Sequence, residues 1–143
     1  MPKGYRLTVR SPLEVVAAFI TRAGDTVEMS MEGDLSQCNL ARLEGVSREP
    51  TATLPRNTTW PRLDFAIVPL TPGNRDRLVR SELPRMGLRR RVIHLQIVEA
   101  GVSRFSAYDS FHHDCVFCDD AVLLSLLQQL EREAAISSFA PVE

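Results

Sequence analysis

Apolar and polar positions alternate from Tyr5 to Arg10, the two-residue period of a half-buried strand. The period then changes. Ser11 reads as an N-cap, Pro12 as the first helical residue and Glu14 as the partner that closes a capping box. Leu13, Val16, Ala17 and Ile20 make one helical stripe, and Gly24 is its end. Thr26 to Glu32 alternates again, with Val27, Met29 and Met31 on one face, before the break at Gly33-Asp34. Leu63 to Leu70 is apolar on both faces apart from Asp64. That predicts a central strand with Pro69 at its end, where no ladder donor is needed. Thr71-Pro72 opens a second helix with Leu78, Val79 and Leu83 inward and Pro84 as its stop. Arg91 to Glu99 predicts a strand, Ala100-Gly101 a tight turn, and Ser103 to Asp109 the returning strand. A third helix is expected over Asp119 to Ala135, with Leu123, Leu126, Leu127, Leu130 and Ala134 as its core stripe and Asp119 or Asp120 as its N-cap.

Residues 33–62 carry no period, and Gly45, Pro50, Pro55 and Pro61 punctuate them. One helical turn is expected near Leu40 to Leu43, with the rest on the surface. The tail 137–143 is expected to be loose. These elements predict one α+β domain over 1–143: a ferredoxin-like-related antiparallel sheet of about five strands with three helices. The long irregular insertion after the second strand departs from that arrangement's usual hairpin. A fold of this type hosts many functions and carries no functional claim by itself.

Composition narrows the class. The chain has 143 residues, 44% hydrophobic and 24% charged, with a formal net charge of −1. A chain of this length buries about two-thirds of its unfolded surface without staples. Disorder, collagen, coiled coil and disulfide scaffolds are poor descriptions. The longest apolar run, Val15 to Ile20, is far too short to cross a bilayer, and the segment before Arg10 has no signal-like stretch. Three cysteines, Cys38, Cys115 and Cys118, are an odd and sparse set, which predicts reduced thiols in a cytoplasm. All 17 basic residues except Lys3 are arginine, a bias that suits a GC-rich bacterial genome.

One segment concentrates chemistry. Asp109 to Asp120 holds two of the three histidines, two of the three cysteines and four carboxylates. Donors of this kind suit zinc or a similar divalent metal, with His112, His113, Cys115 and Cys118 as ligands and Asp109, Asp114 and His94 in support. If the hairpin turns at Ala100-Gly101, paired residues sum to 201, so His94 faces Ala107 and lies diagonal to Asp109. The plainer reading is packing, with Phe111, Val116, Phe117 and the thiols under the last helix. Redox chemistry is disfavoured by the surrounding aspartates, which oppose a thiolate. No phosphate loop, nucleophile elbow or zinc-protease motif is present.

Charge is uneven along the chain. Arg75, Arg77, Arg80, Arg85, Arg89, Arg90 and Arg91 face only Asp76 and Glu82, whereas seven acids from Asp109 onward face only Arg132. The six arginines 75, 77, 80, 89, 90 and 91 form a candidate strip for nucleic acid or another anion. No aromatic residue interleaves them to stack on bases, so nucleic acid is not the favoured partner. Trp60 is the only tryptophan. Its burial tendency favours a place capping the core, and an interface role is the sharper reading. No complete catalytic constellation is visible. The reading is therefore a non-enzymatic protein-binding or accessory module, without cofactor, acting on a protein partner or on a second copy of itself. The metal-binding reading, as a zinc-type protein or small metal-dependent enzyme, stands second, and anion binding third.

Overall fold

The computed structural model describes residues 2–143. Its elements run β1 (Gly4–Val9), α1 (Pro12–Arg22), β2 (Val27–Gly33), a 3-10 turn (Leu40–Arg42), β3 (Asp64–Pro69) and α2 (Pro72–Arg77). A π turn (Leu78–Glu82), α3 (Leu83–Met86), α4 (Leu88–Arg91), β4 (Val92–Glu99) and β5 (Val102–Ala107) follow. β6 (Val116–Asp119), α5 (Leu124–Arg132) and β7 (Ile136–Val142) complete the chain. All strands join one antiparallel sheet in the order β3-β2-β4-β5-β6-β1-β7.

The α+β class is as expected; the strand number and order are not. The sheet has seven strands rather than about five. A ferredoxin-like split arrangement sets the first strand beside the fourth, but here β5 and β6 lie between β1 and β4. Both extra strands come from segments that looked irregular. The strand-to-helix junction contains β6, and the tail expected to be loose is β7, paired with β1 along its length. α5 is correspondingly shorter than expected, with Leu123 rather than an aspartate at its N-cap position and no side-chain cap.

Local signals at the first helix hold. The Ser11 hydroxyl accepts the Glu14 N–H at 3.4 Å and Pro12 opens α1. The Ser11 N–H goes to Ala135 O rather than to a closing glutamate, so only half of a capping box forms. Helix α1 buries Val15, Val16, Phe19 and Ile20. Pro84 does not end its helix. The π turn before it moves hydrogen bonding out of the normal spacing, with Leu83 N–H donating to Leu78 O, and the proline ring is accommodated. The stop comes at Gly87, whose φ of 63° is the left-handed value typical of a helix C-terminus.

The main core lies on the helical face of the sheet. It joins Leu7, Met29, Met31, Leu95, Ile97 and Phe105 to Phe19 and Ile20 of α1 and Leu127 and Leu130 of α5. The rings of Phe19 and Phe105 are 4.7 Å apart. A smaller cluster of Leu54, Phe65, Ile67 and Val98 lies apart from it, with Leu54 supplied by the long connection. β3 is an edge strand, not a central one. Its apolar reading on both faces reflects two-sided burial, and its free edge is covered by Ser47, which exchanges two backbone hydrogen bonds with Ile67 at 2.7 and 3.0 Å.

The connection between β2 and β3 is tied down by buried acceptors. Glu82 takes Asn39 N–H at 2.7 Å, Asn74 takes Glu44 N–H at 2.9 Å, and Glu32 takes Asn57 and Thr58 N–H at 2.8 and 3.0 Å. Asp64 takes Leu35 N–H at 3.1 Å. A loop without a hydrophobic period is thus held by paired backbone donors that would otherwise be costly to enclose. Among the described residues, no helix is long and apolar enough to cross a membrane.

Candidate functional site

The 109–120 junction begins with an unusual backbone. Asp109, Ser110 and Phe111 have φ of 51°, 56° and 63°, three successive left-handed residues without a glycine. Each costs roughly 1–2 kcal/mol. Burial of the Phe111 ring and a 2.9 Å bond from Ser110 N–H to Ile93 O hold the turn in place. Asp109 O accepts His112 N–H, His112 O accepts Cys115 N–H, and Cys115 O accepts Tyr108 N–H, at 3.1, 2.8 and 3.0 Å. The turn therefore leaves His112, His113 and Asp114 exposed side by side. The two imidazoles lie 4.1 Å apart at a tilt of 31°. His113 Nε2 is 3.4 Å from an Asp114 carboxylate oxygen, and Asp114 N–H donates to His112 Nδ1 at 3.2 Å. One ligating atom from each of the three lies within 4.8 Å of the others.

The two thiols do not join this group. Along β6 successive residues point to opposite faces, so positions three apart diverge. Cys118 enters the main core with Val116, and burial, with the neighbouring Asp119 charge, pushes its thiol up to about 12. Cys115, in the turn before the strand, is half-buried. Cys38, within the long connection, is buried, its thiol pushed up to about 11 by burial and the nearby Glu82.

His94 is also elsewhere. The Ala100-Gly101 turn forms where expected, both residues having positive φ, and Val98 pairs with Ser103 in the expected register. A bulge at Arg104 then shifts the ladder by one, so Leu95 pairs with Ala107 and His94 does not. His94 Nε2 is 2.8 Å from Thr58 Oγ1, and its ring centroid is 5.6 Å from that of Tyr108. Gln96, two residues on, donates from Nε2 to the Tyr108 hydroxyl. His94 Nδ1 and Gln96 Oε1 are buried without a hydrogen-bond partner among the described residues.

Glu32, which the alternation placed on a polar face, proves to be 1% exposed. With it, Arg56 fastens the same stretch by donating to Leu63 O at 2.8 Å, its guanidinium 5.1 Å from the Phe65 ring centroid. Thr58 bridges the stretch to His94. Trp60 lies just beyond these ties. It does not cap the core: it is 86% exposed.

The arginine strip divides. Arg75 donates to Leu70 O, Ala23 O and Gly24 O, tying α2 to the end of α1. Arg89 donates to Val9 O and Arg10 O, and Arg91 pairs with Asp34 at 3.2 Å. Arg80 pairs with Asp76 one turn earlier, at 2.7 Å. Arg77 and Arg90 are exposed and form no ion pair among the described residues. The helix α5 is not an acidic surface, because Glu131 is its only acid and Arg132 follows.

A groove of about 550 Å³ lies between the end of α1, the β4–β5 hairpin and the start of α5. Phe19, Ile97, Val122 and Leu126 contribute its apolar surface, and Arg104 bridges Glu99 and Asp119 beside it. Leu123, 62% exposed, stands at its mouth. Comparison with protein-family models, with curated proteins and with solved structures finds no match to this chain.

Proposed function

We propose that the protein is a non-enzymatic binding module whose partner is another protein, with Trp60 as the anchor of the contact. One observation carries this reading: the largest side chain of the molecule is 86% exposed at the end of a loop held by hydrogen bonds to the buried Glu32 carboxylate. Leaving an indole in water forgoes the burial of some 150–250 Å² of mainly apolar surface. A flexible loop would lose conformational entropy on docking, whereas a fastened one has already lost it. Glu32, Arg56 and Thr58 provide that fastening immediately before Trp60. Tryptophan is among the residues most enriched where truncation costs an interface most.

The test compares wild type with Trp60→Ala, both as bait for cross-linking in the source cell and then with the purified partner. The substitution should leave the melting temperature almost unchanged, since the side chain is so exposed. It should weaken partner binding by about 30-fold or more, the equivalent of about 2 kcal/mol. Sedimentation across a concentration series tells whether that partner is a second copy. Equal affinity for the variant, or no partner captured with either protein, overturns the proposal.

A further inference from the structure

We propose that His112, His113 and Asp114 form a surface site for one divalent transition-metal ion of the zinc class. The site goes beyond the protein-contact reading and does not depend on it. Two imidazoles and one carboxylate meet within 4.8 Å. Around zinc, with bonds of about 2.0–2.1 Å, neighbouring ligand atoms in a tetrahedral arrangement sit ~3.3 Å apart. Closure therefore asks for only ~1.5 Å of movement, and all three side chains are exposed and able to turn. The donor set selects the metal. Calcium and magnesium take oxygen ligands, of which this group has one carboxylate, whereas paired imidazoles suit zinc, copper, nickel or cobalt.

The backbone beneath the group is already held. Phe111 is buried just before it, and Ser110 and Cys115 N–H are bonded on either side to Ile93 O and His112 O. Metal binding would thus order only side chains. Three protein ligands leave a coordination position for water, the pattern of an open rather than a closed site. Neither cysteine takes part, because Cys118 is in the core and Cys115 lies outside the three-residue group. One existing bond opposes loading. His112 Nδ1 accepts the Asp114 N–H. A metal on His112 Nε2 leaves the ring proton on Nδ1, so that bond must break. The site should accordingly bind more weakly than a closed structural zinc site.

Calorimetric titration of tag-free protein with zinc chloride should give one saturable site per chain. His112→Gln and His113→Gln should each weaken it at least tenfold, with circular dichroism unchanged because both side chains are exposed. Cys115→Ser and Trp60→Ala should bind zinc as wild type does, which separates this site from the Trp60 surface. Cobalt(II) should bind at the same site with a spectrum of nitrogen and oxygen ligands and no thiolate charge transfer. Absence of saturable zinc binding, undiminished binding by the His112→Gln/His113→Gln double variant, or a thiolate charge-transfer band would each overturn the proposal.

Discussion

Glu32 owes its role to its surroundings. In the alternation of β2 it falls opposite Met31, where a solvated carboxylate is the ordinary expectation. The long connection folds over that face and gives it two backbone N–H donors instead. Hydrogen bonds to a charged acceptor contribute about 1.5–3 kcal/mol each. Glu32→Ala should therefore destabilise the protein by about 3 kcal/mol or more in urea unfolding, and Glu32→Gln by less, since its one carbonyl oxygen still accepts. The single tryptophan reports the local effect: Trp60 fluorescence anisotropy should fall in Glu32→Ala as the loop loosens. Unchanged anisotropy would mean that Glu32 does not fasten the loop. The buried thiols make a second case. An unfolded thiol ionises near 9, whereas Cys38 and Cys118 stay protonated up to about 11 and about 12. Above pH 9 the folded state thus holds protons that the unfolded state has lost, so stability falls as pH rises through that window. Cys118→Ala should flatten the decline between pH 9 and 10.5 in denaturant titrations, and a slope equal to wild type would count against the burial of that thiol.

Elements with their own signal were legible, and those defined by pairing were not. α1 carries a cap, a proline and a stripe, and β2 and β4 carry clear apolar positions. β6 is four residues long, too short for a period to register, and one of its core positions is a cysteine. β7, Ile136–Val142, holds few buried residues and a proline, both poor strand signals. It becomes a strand because β1 offers it a ladder. Proline has no donor for a ladder, so Pro141 must turn its nitrogen toward the open edge, where it also obstructs a further strand. Deleting residues 136–143 should remove Ile136 from the core and expose the outer edge of β1. The shortened chain should lose protection in hydrogen exchange at the β1 amides that face β7, while those that face β6 keep theirs, and should unfold at lower urea. A tail that merely hung from the fold would leave both unchanged.

At the scale of the molecule, the two faces of the sheet were unequally visible. The helical face is built from apolar stripes, and part of its core could be named in advance, but the expected stripes also took in Leu123 and Ala134, which are exposed, and passed over Val15 and Phe19, which are buried. The far face at β3, β2 and β4 is closed by the long connection through Glu32, while Asn74 and Glu82 hold earlier parts of that connection from the helical segment after β3, and no periodicity announces a polar side chain that will accept a distant backbone donor. The candidate sites divide in the same way. His112, His113 and Asp114 could be read as a group because they are neighbours in the chain. The cysteines could not be sorted from them without knowing that a strand begins at Val116. His94 was drawn toward the group by a hairpin register that a single extra residue, Arg104, displaced. The arginine strip read as one surface, but three-dimensional neighbours drew Arg75, Arg89 and Arg91 into ties within the fold.

The amino-acid order alone determined the α+β class, the apolar stripes, the β4–β5 turn and the clustering of donors after Asp109. These depend on residues close together in the chain, whose interactions repeat with the period of a helix or strand. Only the tertiary structure decided the seven-strand order, the burial of Glu32, the separation of Cys118 and His94 from the histidine pair, and the exposure of Trp60. Each of these depends on which distant segment comes to lie against the residue, and a pattern along the chain holds no information about that until the sheet has closed.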